Sequence, residues 1–164
     1  MIKLDSVTIS AGPINATFKP TDEERDAAWK ILVDLGTSIA TQPFLDESGH
    51  LRDVLSSLHR IFNSTKLVLK DLRPSKFDSD MNFASVCMAL LTECLGPFLA
   101  RWHEPLADFE ASREETTSER THELQWAKRN ECIADLRNLQ NTMLAFTQLL
   151  SELAGVRICR GEHD

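Results

Sequence analysis

The chain has 164 residues, 42% of them hydrophobic and 26% charged, a balance that supports one folded domain and excludes a low-complexity or disordered chain. Asp and Glu outnumber Lys and Arg by 25 to 18, and the resulting charge of -7 argues against nucleic acid as a partner unless a basic face is concentrated somewhere. No apolar run is expected to reach the ~20 residues of a membrane span. Met1-Ile2-Lys3-Leu4-Asp5 also lacks the apolar stretch of a signal peptide, so the expected location is cytoplasmic, with no membrane contact.

Residues 1–19 alternate apolar and polar side chains on either side of Gly12-Pro13: Ile2, Leu4, Val7 and Ile9, then Ile14, Ala16 and Phe18. That period of two around a turn predicts a short N-terminal β-hairpin. Thr21, with Glu24 three residues on, reads as a capping box opening a first helix that ends near Thr41, before Pro43. Its inward face is Ala28, Leu32, Leu35 and Ile39, widened by Trp29, Ile31 and Val33. A second helix follows from Leu51 to Leu72, where Leu51, Val54, Leu55, Leu58, Ile61, Phe62, Thr65, Val68 and Leu69 keep helical spacing up to Arg73-Pro74. Phe83, Cys87, Leu90, Leu91, Cys94, Phe98 and Trp102 mark a third, expected to kink at Pro97 and end at Pro105. Residues 108–123 are nearly all polar and read as a solvated loop or helix overhang. The fourth helix is expected from Leu124 to Leu153, stopped by Gly155. Val156-Arg157-Ile158-Cys159 is a candidate third strand.

The predicted fold is all-α: an antiparallel four-helix bundle with a short N-terminal β-hairpin. Residues 1–164 form one domain, with 1–19 hairpin-like, 21–154 the helical bundle and 155–164 a tail. Cysteines 87, 94, 132 and 159 form no C-x-x-C and are expected to be free thiols.

Candidate chemistry is sparse. Glu119 and His122 form an E-x-x-H, the spacing used in dimetal helical bundles, but none of the other expected helices supplies the second copy and this one sits in the most polar stretch. No metal and no cofactor is therefore expected. Arg52 and His59 form an R-x6-H, and Arg157 and His163 an R-x5-H; both resemble the short signature of HEPN ribonucleases, all-helical proteins that cleave RNA with an Arg and a His from paired helices. With 11 Arg and 5 His, chance supplies about one such match in a chain of this length. Arg101, Trp102 and His103 combine an aromatic with two cation-capable side chains, the composition of a partner-binding hot spot. The competing interpretation buries Trp102 and leaves Arg101 and His103 to cap a helix end. Phosphate loops, nucleophile elbows and H-E-x-x-H motifs do not occur.

Three stretches resemble a pattern in small, uncharacterised bacterial all-helical proteins associated with conflict or antiphage gene neighbourhoods. They are Thr21 to Pro43 with Ala27-Ala28-Trp29 and Thr37-Ser38-Ile39-Ala40-Thr41-Gln42-Pro43, then Leu51-Arg52-Asp53-Val54-Leu55-Ser56-Ser57-Leu58, then Leu95-Gly96-Pro97-Phe98-Leu99-Ala100-Arg101-Trp102-His103. The resemblance implies no catalytic residue. The expected function is a non-enzymatic accessory, sensor or inhibitory subunit that binds another protein, with a homo-oligomer left open. The alternatives are a HEPN-like ribonuclease using Arg52 and His59 in a dimer, or a helical bundle with a small-ligand pocket.

Overall fold

Helix formation starts where the capping box was expected. The Thr21 hydroxyl accepts the Glu24 N–H at 3.2 Å, and Glu24 Oε2 accepts the Thr21 N–H at 2.8 Å. This computed structural model describes residues 7–11, 14–44, 49–72 and 82–156, and the described chain is mainly helical. β1 (Val7–Ala11) and β2 (Ile14–Phe18) pair antiparallel, Val7 opposite Phe18 and Ala11 opposite Ile14. Residues 1–6, the 12–13 junction and, beyond Val156, the candidate third strand lie outside the described residues, as do Arg157, Cys159 and His163.

α1 (Asp22–Thr37) ends earlier than Thr41 because Ser38 has extended backbone and spends its hydroxyl on the Ala40 N–H and on Ser57 Oγ, 2.7 Å away. A single 3-10 turn, Ile39–Thr41, follows. That break corrects the inward face: Ile39 turns out, and Trp29 and Val33 lie on the outer side of α1, while Ala28, Ile31, Leu32 and Leu35 are buried. α2 (Leu51–Asp71) has the expected limits and buries Leu51, Val54, Leu55, Leu58 and Ile61.

The third helical stretch departs most from expectation. α3 (Phe83–Ala89) runs through a π-helical turn, Leu90–Leu95, into α4 (Gly96–Ala111). Pro97 has no N–H for the carbonyl one turn back, and the chain accommodates it just upstream: the Gly96 N–H bonds to Leu91 O, five residues earlier. Only glycine fits there, since a Cβ would sit 2.8 Å from Leu91 O. Pro105 does not end the helix. Its missing bond, about 3 kcal/mol, is outweighed by Trp102 and Leu106, both buried on the face that α4 turns to the core. By length and composition Phe83–Ala111 could also cross a membrane, with mean hydropathy 1.7 over its most apolar window, which corrects the expectation that no such run exists. Residues 83–100 carry one charge, Glu93.

The polar 108–123 stretch is part helix overhang, as one of the two expectations had it, and not only a solvated loop. α4 extends to Ala111, and a short helix, α5 (Glu119–Leu124), places Glu123 in the interior. α6 (Arg129–Ala154) therefore begins at Arg129, not Leu124. It ends as expected at Gly155, which has φ 70°, with the Val156 N–H bonding to Ser151 O at 3.0 Å. One cluster of buried side chains draws on α1, α2, α3, α4 and α6, with Trp126 beside it. α1 lies mainly against α6 and next against α2.

Candidate functional site

The two sequence candidates meet along the seam between α2 and α4. These helices pass in opposite directions, so residue 52 lies opposite residue 110 and residue 59 opposite residue 103. Arg52 grips Glu110: Nε donates to both carboxylate oxygens at 2.9 and 3.1 Å, and Nη2 lies 2.7 Å from Oε2. Two turns along α2, the exposed rings of His59 and His103 lie 6.2 Å apart, tilted by 44°. Thus His59 of the R-x6-H and His103 of the Arg-Trp-His triplet adjoin each other, while Arg52 is already occupied by a carboxylate.

Trp102 is corrected as a surface anchor. It is 2% exposed, stands edge-on to Trp126 with centroids 5.9 Å apart, and donates its indole N–H to Asp135 Oδ2 at 3.0 Å. Arg101 covers the Trp102 ring at 4.8 Å and pairs with Glu131 and, at 2.7 Å, with Asp135 of α6. With α4 running on to Ala111, neither Arg101 nor His103 caps a helix end. The seven-residue spacing of 103 and 110 matches that of 52 and 59, but that match gains meaning only once the two helices are known to be neighbours.

At the end of the seam nearest α5 opens a cavity of about 370 Å³, lined by His50, Arg52, Asp53, Glu110, Arg113, Glu119, His122 and Glu123. Most of this lining is paired within itself. Arg113 lies 3.7 Å from Glu119, and the His122 ring stacks on Phe109 at 4.0 Å while Nε2 donates to the Phe109 carbonyl at 2.7 Å. Glu119, of the E-x-x-H, lines the same cavity as His122 but has its side chain 82% exposed. Among the described residues, no group of three or more His, Cys, Asp or Glu side chains could hold a metal ion.

Glu123 is the residue that sequence reasoning missed. Its side chain is 6% exposed; Oε2 accepts the Leu51 N–H at 2.9 Å, and Oε1 accepts Arg129 Nε–H at 3.3 Å. His50 Nδ1 and Arg120 Nη1 each lie 3.7 Å from the carboxylate, and Arg120 also donates to the Gly49 carbonyl. Glu123 thereby caps α2, whose own N-cap residue, His50, makes no side-chain capping bond. The thiols of Cys87 and Cys132, both free, are pushed up to about 12, chiefly by burial; Glu24 adds to the shift at Cys87. Neither is a nucleophile at neutral pH. Comparison with family models, curated proteins and solved structures gives no match.

Proposed function

We propose that this protein acts by binding another protein, as a non-enzymatic accessory, sensor or inhibitory subunit. On the resemblance in residues 21–43, 51–58 and 95–103, its setting is a bacterial antiphage or conflict system. In this reading it works in the cytoplasm without a cofactor. Its architecture is an antiparallel four-helix bundle carrying an N-terminal hairpin. The opposed pairing of residues 52 with 110 and 59 with 103 supports that arrangement. So do the bonds from Arg25 to Leu153 O and from Gln140 to Ala40 O, which run α1 against α6 in opposite directions.

The observation that carries the reading is Trp29. It is 50% exposed with Val33 one turn away on the same outer face, a large aromatic left in water where the core offered room for its neighbours. Such aromatics dominate protein interfaces. Arg52 supports the same conclusion from the other side, since the Glu110 carboxylate already offsets the charge that it would offer a phosphate. The ribonuclease alternative draws on one observation, the adjacency of His59 and His103, a pair that could share acid and base roles.

Affinity purification from the native host, at native abundance, tests the proposal. One protein should accompany the wild-type chain at near-equal stoichiometry. A chain that purifies alone contradicts the proposal, as does RNA cleavage by the pure protein that is abolished by His59→Ala in a folded variant.

A further inference from the structure

We propose that the outer face of α1 docks a basic amphipathic helix of the partner; this rests on the binding reading above and names the partner's chemistry. The inner face of α1, Ala28, Ile31, Leu32 and Leu35, is consumed by the core. On the opposite face Trp29, Val33 and Gly36 follow one another at helical spacing, and Ile39, in the 3-10 turn beyond Ser38, is exposed as well. Trp29, Val33 and Ile39 are exposed by 50, 39 and 55%.

Gly36 is informative because the fold itself does not require it. A Cβ placed there would meet no atom within 4 Å, and its φ is not left-handed. Glycine in an exposed helix costs about 0.5–1 kcal/mol relative to alanine. What it offers is a close approach for another backbone, next to a ridge made by Trp29 and Val33. A narrow ridge along one helix of about 24 Å suits the groove of a second helix better than a broad surface.

Charge selects the sign of that helix. Beside the ridge, between α1 and α2, lies a cavity of about 200 Å³ lined by Glu23, Asp26, Asp71 and Lys30, with Ala27, Val68 and Leu72 as its apolar part. Three carboxylates face one ammonium. The apolar part takes the methylene stem of a lysine or arginine while the carboxylates meet its head. Asp26 lies between cavity and ridge, so one partner helix can place apolar residues on Trp29 and Val33 and a cation beside Asp26. A second copy of this chain would bring the same carboxylates to the same face and is disfavoured by like charge.

Fluorescence anisotropy with the full chain tests this. The probes are a fluorescein-labelled helical peptide with leucines at every third and fourth position and lysines elsewhere, and its counterpart with glutamates in place of lysines. The lysine peptide should bind at least tenfold more tightly at physiological salt. Trp29→Ala and Asp26→Lys should each weaken it at least fivefold, while Glu104→Lys, the same charge change on exposed α4, should leave it within twofold. Equal binding of the two peptides overturns the proposal, as does an effect of Glu104→Lys equal to that of Asp26→Lys, or no effect of Trp29→Ala. A native partner that stays bound to the Trp29→Ala chain overturns the α1 face but leaves the binding reading intact; a chain with no native partner overturns the reading itself.

Discussion

Removing the Glu123 carboxylate should be among the most damaging single changes outside the apolar core. In Glu123→Ala, the Leu51 N–H loses its acceptor at 2.9 Å, and the first turn of α2 loses its cap, worth about 1 kcal/mol. Arg129, 8% exposed, loses the carboxylate at 3.3 Å. Breaking a buried pair from one side costs about 3–5 kcal/mol. Arg129 keeps other contacts, including the Phe44 ring 5.9 Å away, so the lower end applies and the two losses partly overlap. The expected total is about 3 kcal/mol. For a domain of this size that lowers Tm by about 6–12 °C, followed by circular dichroism. Glu123→Gln keeps an acceptor for Leu51 and should lose about half as much. A fall below about 2 °C for the alanine variant would show that the carboxylate does not hold α5 to α2, and a glutamine variant as unstable as the alanine one would show that the acceptor offered to Leu51 contributes nothing.

Gly96→Ala should lose about 2 kcal/mol in urea unfolding, because its Cβ would meet Leu91 O at 2.8 Å across the π-helical turn; an unchanged midpoint would mean that the turn relaxes freely. Thr65→Val should gain about 1 kcal/mol: the Thr65 hydroxyl is fully buried without a hydrogen-bond partner, Ser64 already donates to Ile61 O at 3.1 Å, and a loss of stability would contradict the argument. Cys87 and Cys132 should stay unalkylated by iodoacetamide in the native protein at pH 8.5 and react after unfolding. Because folding raises both thiols from 9.0 to about 12, the unfolded state loses protons first. Stability should therefore hold below pH 9 and fall as the pH rises from 9 towards 12. Replacing both cysteines with alanine should flatten that decline, and an unaltered slope would refute it.

What could be read from the sequence follows from how local each signal is. The capping box at Thr21 and Glu24, the apolar stripe of α2 and the stop at Gly155 each depend on residues a few positions apart, and each appears where expected. Trp29 and Val33 lie outward where the sequence places them inward, because a broad apolar face on α1 says nothing about which edge the neighbouring helices leave uncovered. Pro105 reads as a terminator in the sequence because its local penalty is plain, whereas the compensating burial of Trp102 and Leu106 depends on helices distant in sequence. Glu123 lay hidden inside a polar run: nothing near it in sequence announces that Leu51, 72 residues away, supplies the N–H that it caps. The neighbouring His59 and His103, and the grip of Glu110 on Arg52, are equally products of how α2 passes α4.

Photo-crosslinking in the native host distinguishes a protein partner on α1 from RNA at the α2–α4 seam. A benzophenone amino acid replaces Trp29 in one strain and His59 in another, and adducts are identified by mass spectrometry. Position 29 should capture a lysine- or arginine-rich helical segment of one partner protein, and position 59 should capture little. Adducts from position 59 to RNA, with none from position 29, would contradict the protein-binding reading.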